Sequence, residues 1–257
     1  MKLTFLGTGT SQGVPMIGCD CRICRSPDPR NKRFRTSAIV EEDGFTVLID
    51  TSPDLRSQSL RAGIDRIDAI LFTHGHSDHL LGIDDLRRFN WIQDERLPAY
   101  GPPETLERIR TLFPYAVEKR DEPHPYTRLD LHDVDGPFQL GPFEIIPFRL
   151  PHGSIDTNGY VFARDGKPRL AYFTDCKDVP AHARSAIRNI PVLVIDALRF
   201  TEHPTHLAIP ESIGIAREVQ AGRTYFIHLT HDVDHELHGR DLPETIAFAH
   251  DELVVEI

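Results

Sequence analysis

The chain is expected to form one α/β domain over residues 1–257, built from two β-sheets with helices on their outer faces. Three observations predict this. Its 257 residues, 40% of them hydrophobic, can bury one sizeable core. Strands come in runs early in the chain and alternate with helices later. Several strands end on a histidine or an aspartate, and rigid strand ends are good places to fix reactive side chains.

The elements follow in order. Leu3–Leu6 reads as a first strand ending in the turn Gly7-Thr8-Gly9. Residues 11–36 are irregular, rich in Pro, Gly, Cys and Arg, and must be held by something other than a core. Ala38–Glu41 and Thr46–Ile49 form a hairpin around Asp43-Gly44. Pro53 to Ala62 is a helix, with Pro in its first turn and Gly63 as its stop. Ala69–Phe72 is a buried strand, and His79–Phe89 and Glu104–Phe113 have helical patterns. Residues 114–137 read as a long connection, an insertion or a lid. Phe143–Leu150, Tyr160–Ala163, Leu170–Phe173, Val192–Ile195 and Thr224–Ile227 are strands, while Pro210–Gln220 and Pro243–His250 are helices.

Composition narrows the function. A net charge of −10 argues against broad binding of nucleic acid or of a membrane surface. No apolar run reaches membrane-spanning length, and the N-terminus lacks a secretory pattern, so a cytoplasmic location is expected. In a reducing compartment, Cys19, Cys21 and Cys24 read as metal ligands before disulfides.

The most informative segment is Thr73-His74-Gly75-His76-Ser77-Asp78-His79, directly after a buried strand. In extended backbone alternate side chains share a face, so His74, His76 and Asp78 are expected to converge while His79 points elsewhere. That pattern suits two metal ions better than one. His152, Asp175 and His228 follow later strands and complete a set of seven ligand-type residues. Imidazoles with carboxylates suit Zn, Mn or Fe rather than Ca or Mg. Each of the three later residues alone would be an ordinary surface, capping or turn residue, and their order and placement single them out.

The order H-x-H-x-D-H, then His, Asp and His, resembles the metallo-β-lactamase superfamily. Gly18-Cys19-Asp20-Cys21-Arg22-Ile23-Cys24 and His228-Leu229-Thr230-His231 resemble its PhnP-type phosphodiesterases. The resemblance runs from Gly7 to His231 and implies an αββα sandwich of two mixed sheets. It implies one metal on His74, His76 and His152, a second on Asp78, His79 and His228, and Asp175 bridging them. It also implies a structural zinc on Cys19, Cys21, Cys24 and His231, a closed tetrahedral set. His206 matches the general acid of that group better than His203 does, and a homodimer is suggested.

The expected reaction is hydrolysis of small cyclic-nucleotide or sugar phosphodiesters by a hydroxide held between two Mn or Zn ions, with Asp78 and His206 in the catalytic set. No stable nucleic-acid partner is expected. The rival readings are a thioesterase or lactonase of the same fold, a tRNA 3′-processing nuclease, and a PqqB-like protein of cofactor biosynthesis. Arg35 and Arg88 are weak candidates for phosphate contact, with Arg88 more simply on a solvated helix face, and Asp50 serves equally as a turn residue or to orient the ligand loop. Cys176 reads as a buried packing residue rather than a nucleophile.

Overall fold

The computed structural model describes residues 1–118 and 126–257, arranged around two seven-stranded mixed sheets. The first sheet holds β1 (Lys2–Gly7), β2 (Ser37–Glu42), β3 (Phe45–Ile49), β4 (Ala69–Leu71), β5 (Leu97–Gly101) and β6 (Leu129–Asp133). The second holds β7 (Phe138–Leu140), β8 (Phe143–His152), β9 (Ile155–Arg164), β10 (Lys167–Phe173), β11 (Val192–Asp196), β12 (Arg223–Ile227) and β13 (Ile246–Phe248). A last strand, β14 (Val254–Glu256), returns to pair antiparallel with β1. Helices α1 (Leu55–Ala62), α2 (Ser77–Leu80), α3 (Arg87–Gln93), α4 (Pro103–Leu112) and α5 (Pro114–Val117) belong to the first half. Helices α6 (Ala181–Ala186), α7 (Ile209–Val219) and α8 (His235–Gly239) belong to the second.

Strand alternation explains the layers. Leu3, Phe5, Val47, Leu71, Phe162, Tyr172 and Val194 pack together between the sheets. Their sequence neighbours Leu6, Leu48, Ile70 and Phe72 face outward and pack under Leu55, Phe89, Leu106 and Ile109 of the helices. On the other side Val161, Phe173, Leu193 and Ile195 pack under Ala183, Ile215 and Val219. Both faces of each sheet are thus covered, so these strands read as continuous apolar runs. Phe162 is fully buried at the centre, and Phe162→Ala would cost about 3–5 kcal/mol.

Four expectations need correction. Pro243–His250 is not a helix: Ile246–Phe248 pairs in parallel with Thr224–Phe226, so sheet pairing outweighs a Pro-led helical start. The segment 114–137 contains α5 and β6, which adds a parallel strand beside β5. A lid role for residues 119–125 lies outside the described residues. The stretch 79–89 is broken into α2, a 3-10 turn at Ile83–Leu86 and the start of α3, because Gly82 N donates out of the helix to the Thr51 carbonyl at 3.0 Å. Finally, the loop 11–36 does carry a small apolar cluster of Val14, Ile23 and Cys24. Its main anchor is the buried Arg33 guanidinium, which donates to the Thr230 and Val233 carbonyls at 3.2 and 2.8 Å.

Parallel pairing aligns the strand ends. β3 runs parallel to β4, and β10, β11 and β12 run parallel to one another. Asp50, His74, Asp175, Asp196 and His228 therefore all emerge at C-terminal strand ends. No described helix is long and apolar enough to cross a membrane.

Candidate metal centres and active site

At this edge the backbone leaves the sheets sharply. Asp50, Asp175 and His228 adopt left-handed backbone with φ of 59°, 51° and 60°. Such turns cost a non-glycine residue about 1–2 kcal/mol each, and here they bring side chains of different strands into one space.

The segment 73–79 does not stay extended. His76 is the cap of α2, with φ −71° and ψ 154°, and the helix begins at Ser77. Alternation therefore stops at His76, and Asp78 does not share the position of His74 and His76, as the extended reading expects. Instead, His74, His76 and His152 form one potential metal-binding group, and Asp78, Asp175 and His228 form another. His74 Nε2 lies 2.9 Å from His76 Nδ1, and His152 Nε2 lies 3.3 Å from the same atom. His79 does not point away: its Nε2 lies 3.4 Å from both Asp78 and Asp175. His228 Nδ1 lies 3.1 Å from Asp175 Oδ1. Asp175 thus touches both groups, and its second oxygen is 3.9 Å from His74 Nε2.

A second set of contacts orients these rings. The fully buried Asp50 accepts from Thr73 N at 2.8 Å and Thr73 Oγ1 at 2.7 Å, and it takes the His79 Nδ1 proton at 2.6 Å. Anchoring Nδ1 in this way aims Nε2 of His79 at Asp78 and Asp175. The Thr205 carbonyl accepts from His152 Nδ1 at 2.9 Å. Thr36 Oγ1 meets His228 Nδ1 at 3.2 Å and donates to Gly9 O at 2.9 Å.

Several features fit metal binding here. Burial, with the neighbouring imidazoles adding to it, holds His74 well below the ordinary histidine value, so its ring is neutral and able to ligate a metal. Burial likewise pushes His228 down to about 4. Among the described residues, the buried His79 Nε2 makes no hydrogen bond. Burial opposes its protonation, yet the carboxylates of Asp175, Asp50 and Asp78 together raise it well above the ordinary value. Buried carboxylates gathered around one imidazole call for a cation among them. Divalent ions on these donors would supply that charge.

The cysteine loop forms a separate cluster. Cys19, Cys21 and Cys24 place their sulfurs 3.3, 3.5 and 3.7 Å from His231 Nδ1. Three thiols and one imidazole facing inward match a closed zinc site. Cys176 is fully buried, and burial holds its thiol well above its ordinary value, so it offers no thiolate.

His206 stands over the pocket, its ring 4.8 Å from that of His228 and 4.6 Å from that of His152. Its Nδ1 donates to the buried Asp196 at 2.7 Å. Burial works against its charge, but Asp196 more than offsets this and holds His206 at about 9. His203 turns aside, with Nδ1 3.4 Å from Thr205 N. Ser11, Gly153, Ser154 and Thr205 complete a cavity of about 360 Å³ with His76, Asp78, His152, Asp175, His206 and His228. Arg35 is tied to Asp54 at 2.9 Å, and Arg88 lines a different cavity with Arg56, Leu60 and Ile92. Asp196 is the residue that sequence reasoning missed. It ends the apolar run Val192–Ile195, ten residues before His206, as Asp175 closely follows Phe173.

Comparison with known proteins agrees on the family and differs in the activities the names state. A model of the beta-lactamase superfamily domain matches residues 46–229. A crystal structure of a diphosphatase from the PhnP family is 41% identical, with a TM-score of 0.91, covering 100% of this chain and 97% of that one. A Porphyromonas gingivalis protein named octanoyltransferase is 38% identical over 98% of this chain, which spans about half (51%) of that protein's length. The coenzyme PQQ synthesis protein B of Methylobacterium radiotolerans is 28% identical over 76% of this chain and 72% of its own length.

Proposed function

This chain belongs to the metallo-β-lactamase superfamily, in its PhnP-like branch, a fold whose members include hydrolases, and from that premise we propose that it is a dinuclear metal-dependent phosphodiesterase of small substrates. The observation that carries this reading is the pairing of a ligand-rich pocket with a histidine facing it whose Nδ1 is held by the buried Asp196. His74, His76 and His152 would hold one ion, Asp78, His79 and His228 the other, with Asp175 shared. Bound divalent ions would lower the pKa of water and neutralise phosphoryl oxygens.

The chain's own residues account for the other half of the reaction. Asp196 fixes the His206 proton on Nδ1 and sustains the imidazolium, so Nε2 carries the proton available to a leaving oxygen. An alkoxide leaves poorly without that proton, whereas p-nitrophenolate leaves readily. The diphosphatase name of the 41% identical structure supports chemistry at phosphorus. The octanoyltransferase name belongs to a protein twice as long and carries no equal weight.

The test compares an alkyl and a p-nitrophenyl phosphodiester, with a thioester as control, in wild type and His206→Ala. The reading expects phosphodiester turnover. It also expects a loss of about 10²-fold for the alkyl leaving group, and a much smaller loss for p-nitrophenolate. Equal losses for both leaving groups would remove the acid role, and turnover of the thioester alone would overturn the phosphodiesterase reading.

A further inference from the structure

The loop 199–206, between β11 and α7, carries His206, and none of its residues is buried. Its ends are fixed: Leu198 N donates to the Leu207 carbonyl at 2.9 Å, and Leu207 N to the Cys176 carbonyl at 2.7 Å. Between those ends, Asp196 holds His206 by one ring atom, Nδ1. That bond fixes the ring from the β11 side. It does not set how far the loop stands from the metal-ligand side of the pocket.

The hairpin of β8 and β9 meets the loop from that other side. His152 ends β8 and pairs with Ile155, which leaves Gly153-Ser154 as a two-residue turn. Thr205 joins this turn to the loop twice over. Its carbonyl accepts from His152 Nδ1 at 2.9 Å. Its methyl rests on Gly153, where a Cβ would lie 2.7 Å from Thr205 Cγ2. Gly153 has a φ of 65°, so both the turn and the contact favour glycine. His203 braces Thr205 in turn: its Nδ1 accepts from Thr205 N at 3.4 Å and lies 3.2 Å from Thr205 Oγ1. The next residue is His206, with its ring 4.6 Å from that of His152.

We propose that Thr205 is a positioning residue that keys the proton donor to a metal ligand, by seating the His206 loop on the His152 turn. Its carbonyl orients the His152 ring, and its side chain sets the height of the loop above Gly153. The two histidines therefore keep one spacing across the pocket. A misplacement of about 1 Å is enough to cost about 10²-fold in a reaction that needs both groups. The kinetic consequence rests on the phosphodiesterase reading, whereas the link between Thr205 and His152 shows in metal affinity alone.

The test pushes the contact and then relieves it. Gly153→Ala sets a methyl against Thr205 Cγ2, and Thr205→Ser removes Cγ2 while keeping the hydroxyl and the carbonyl. The full-length wild type, both single variants and the double variant are compared in two ways. One is Mn²⁺ affinity, by competition with a fluorescent chelator; Mn²⁺ reports the histidine–carboxylate pocket because thiolates select zinc. The other is kcat on an alkyl and a p-nitrophenyl phosphodiester at saturating Mn²⁺. Gly153→Ala should weaken Mn²⁺ binding about tenfold. It should also slow the alkyl diester about tenfold or more, with a much smaller loss for p-nitrophenolate. The double variant keeps alanine in the left-handed turn, so backbone damage would persist in it. Recovery of most of both losses there assigns them to the Thr205 contact. A double variant no better than Gly153→Ala overturns the assignment, as does Mn²⁺ affinity unchanged by Gly153→Ala or an equal loss for both leaving groups. A wild type that hydrolyses neither diester, with the affinity pattern intact, would instead strike the phosphodiesterase reading alone.

Discussion

The cysteine cluster and the histidine–aspartate pocket are linked by one short loop, from His228 to His231, yet they are built on opposite terms. In the first, three thiols converge on one imidazole, a closed tetrahedral set that leaves no position for a substrate. In the second, the ligand-type side chains are shared between two groups and open onto a cavity of about 360 Å³. The supports differ as well. The cysteine loop hangs on Arg33, whose guanidinium reaches the Thr230 and Val233 carbonyls on either side of His231, and on an Arg22–Asp234 ion pair of 2.7 Å. The pocket hangs on strand ends and on the buried carboxylates Asp50 and Asp196. Ligand chemistry alone thus separates a site that ties a loop down from a site that can do work.

That contrast can be broken by mutation, and the largest effect should come from the shared carboxylate. Asp175→Ala removes the group that touches both halves of the pocket, so phosphodiester turnover should fall by about 10³-fold or more. Elemental analysis should show the cysteine-site zinc retained. Loss of all metal together would mean that the two sites are one cooperative unit.

Cys24→Ser tests the other side. The thiol is buried in the small cluster of the 11–36 loop. Removing one ligand of a closed zinc set should cost about 3 kcal/mol, read as a melting temperature lower by roughly 6–12 °C. The kcat of the folded fraction should change far less than in Asp175→Ala. An unchanged melting temperature would deny the loop its metal anchor.

A smaller effect concerns pH. On the proposed acid role, His206, held at about 9, is competent below that value, and activity should fall as pH rises through it. Asp196→Asn removes the charge that offsets burial, so the alkaline limb of kcat/KM should move to lower pH. A limb that stays in place would assign it to another group.

Much of this edge was legible in the sequence because its residues are chemically rare there. His74, His76, Asp78 and His79 crowd one short segment, and His152, Asp175 and His228 each follow an apolar strand. Local rules misjudged only their directions, since the start of α2 at Ser77 swings Asp78 and His79 inward. The strands that escaped notice have weak local signals. Leu97–Gly101 contains Pro98, Val254–Glu256 is a three-residue edge, and Ile246–Phe248 lies in a stretch that begins like a helix. Only pairing with distant partners makes them strands. Asp196 was missed for the same reason, because its meaning comes from His206, which folds beside it.

The central claim is tested most directly by stripping the protein with a chelator and titrating Mn²⁺ or Zn²⁺ back while following hydrolysis of an alkyl phosphodiester. Turnover should vanish on chelation and return as about two equivalents fill the pocket, beyond any ion kept by the cysteine site. Turnover that survives chelation, or that is complete after a single equivalent, would contradict a two-metal centre.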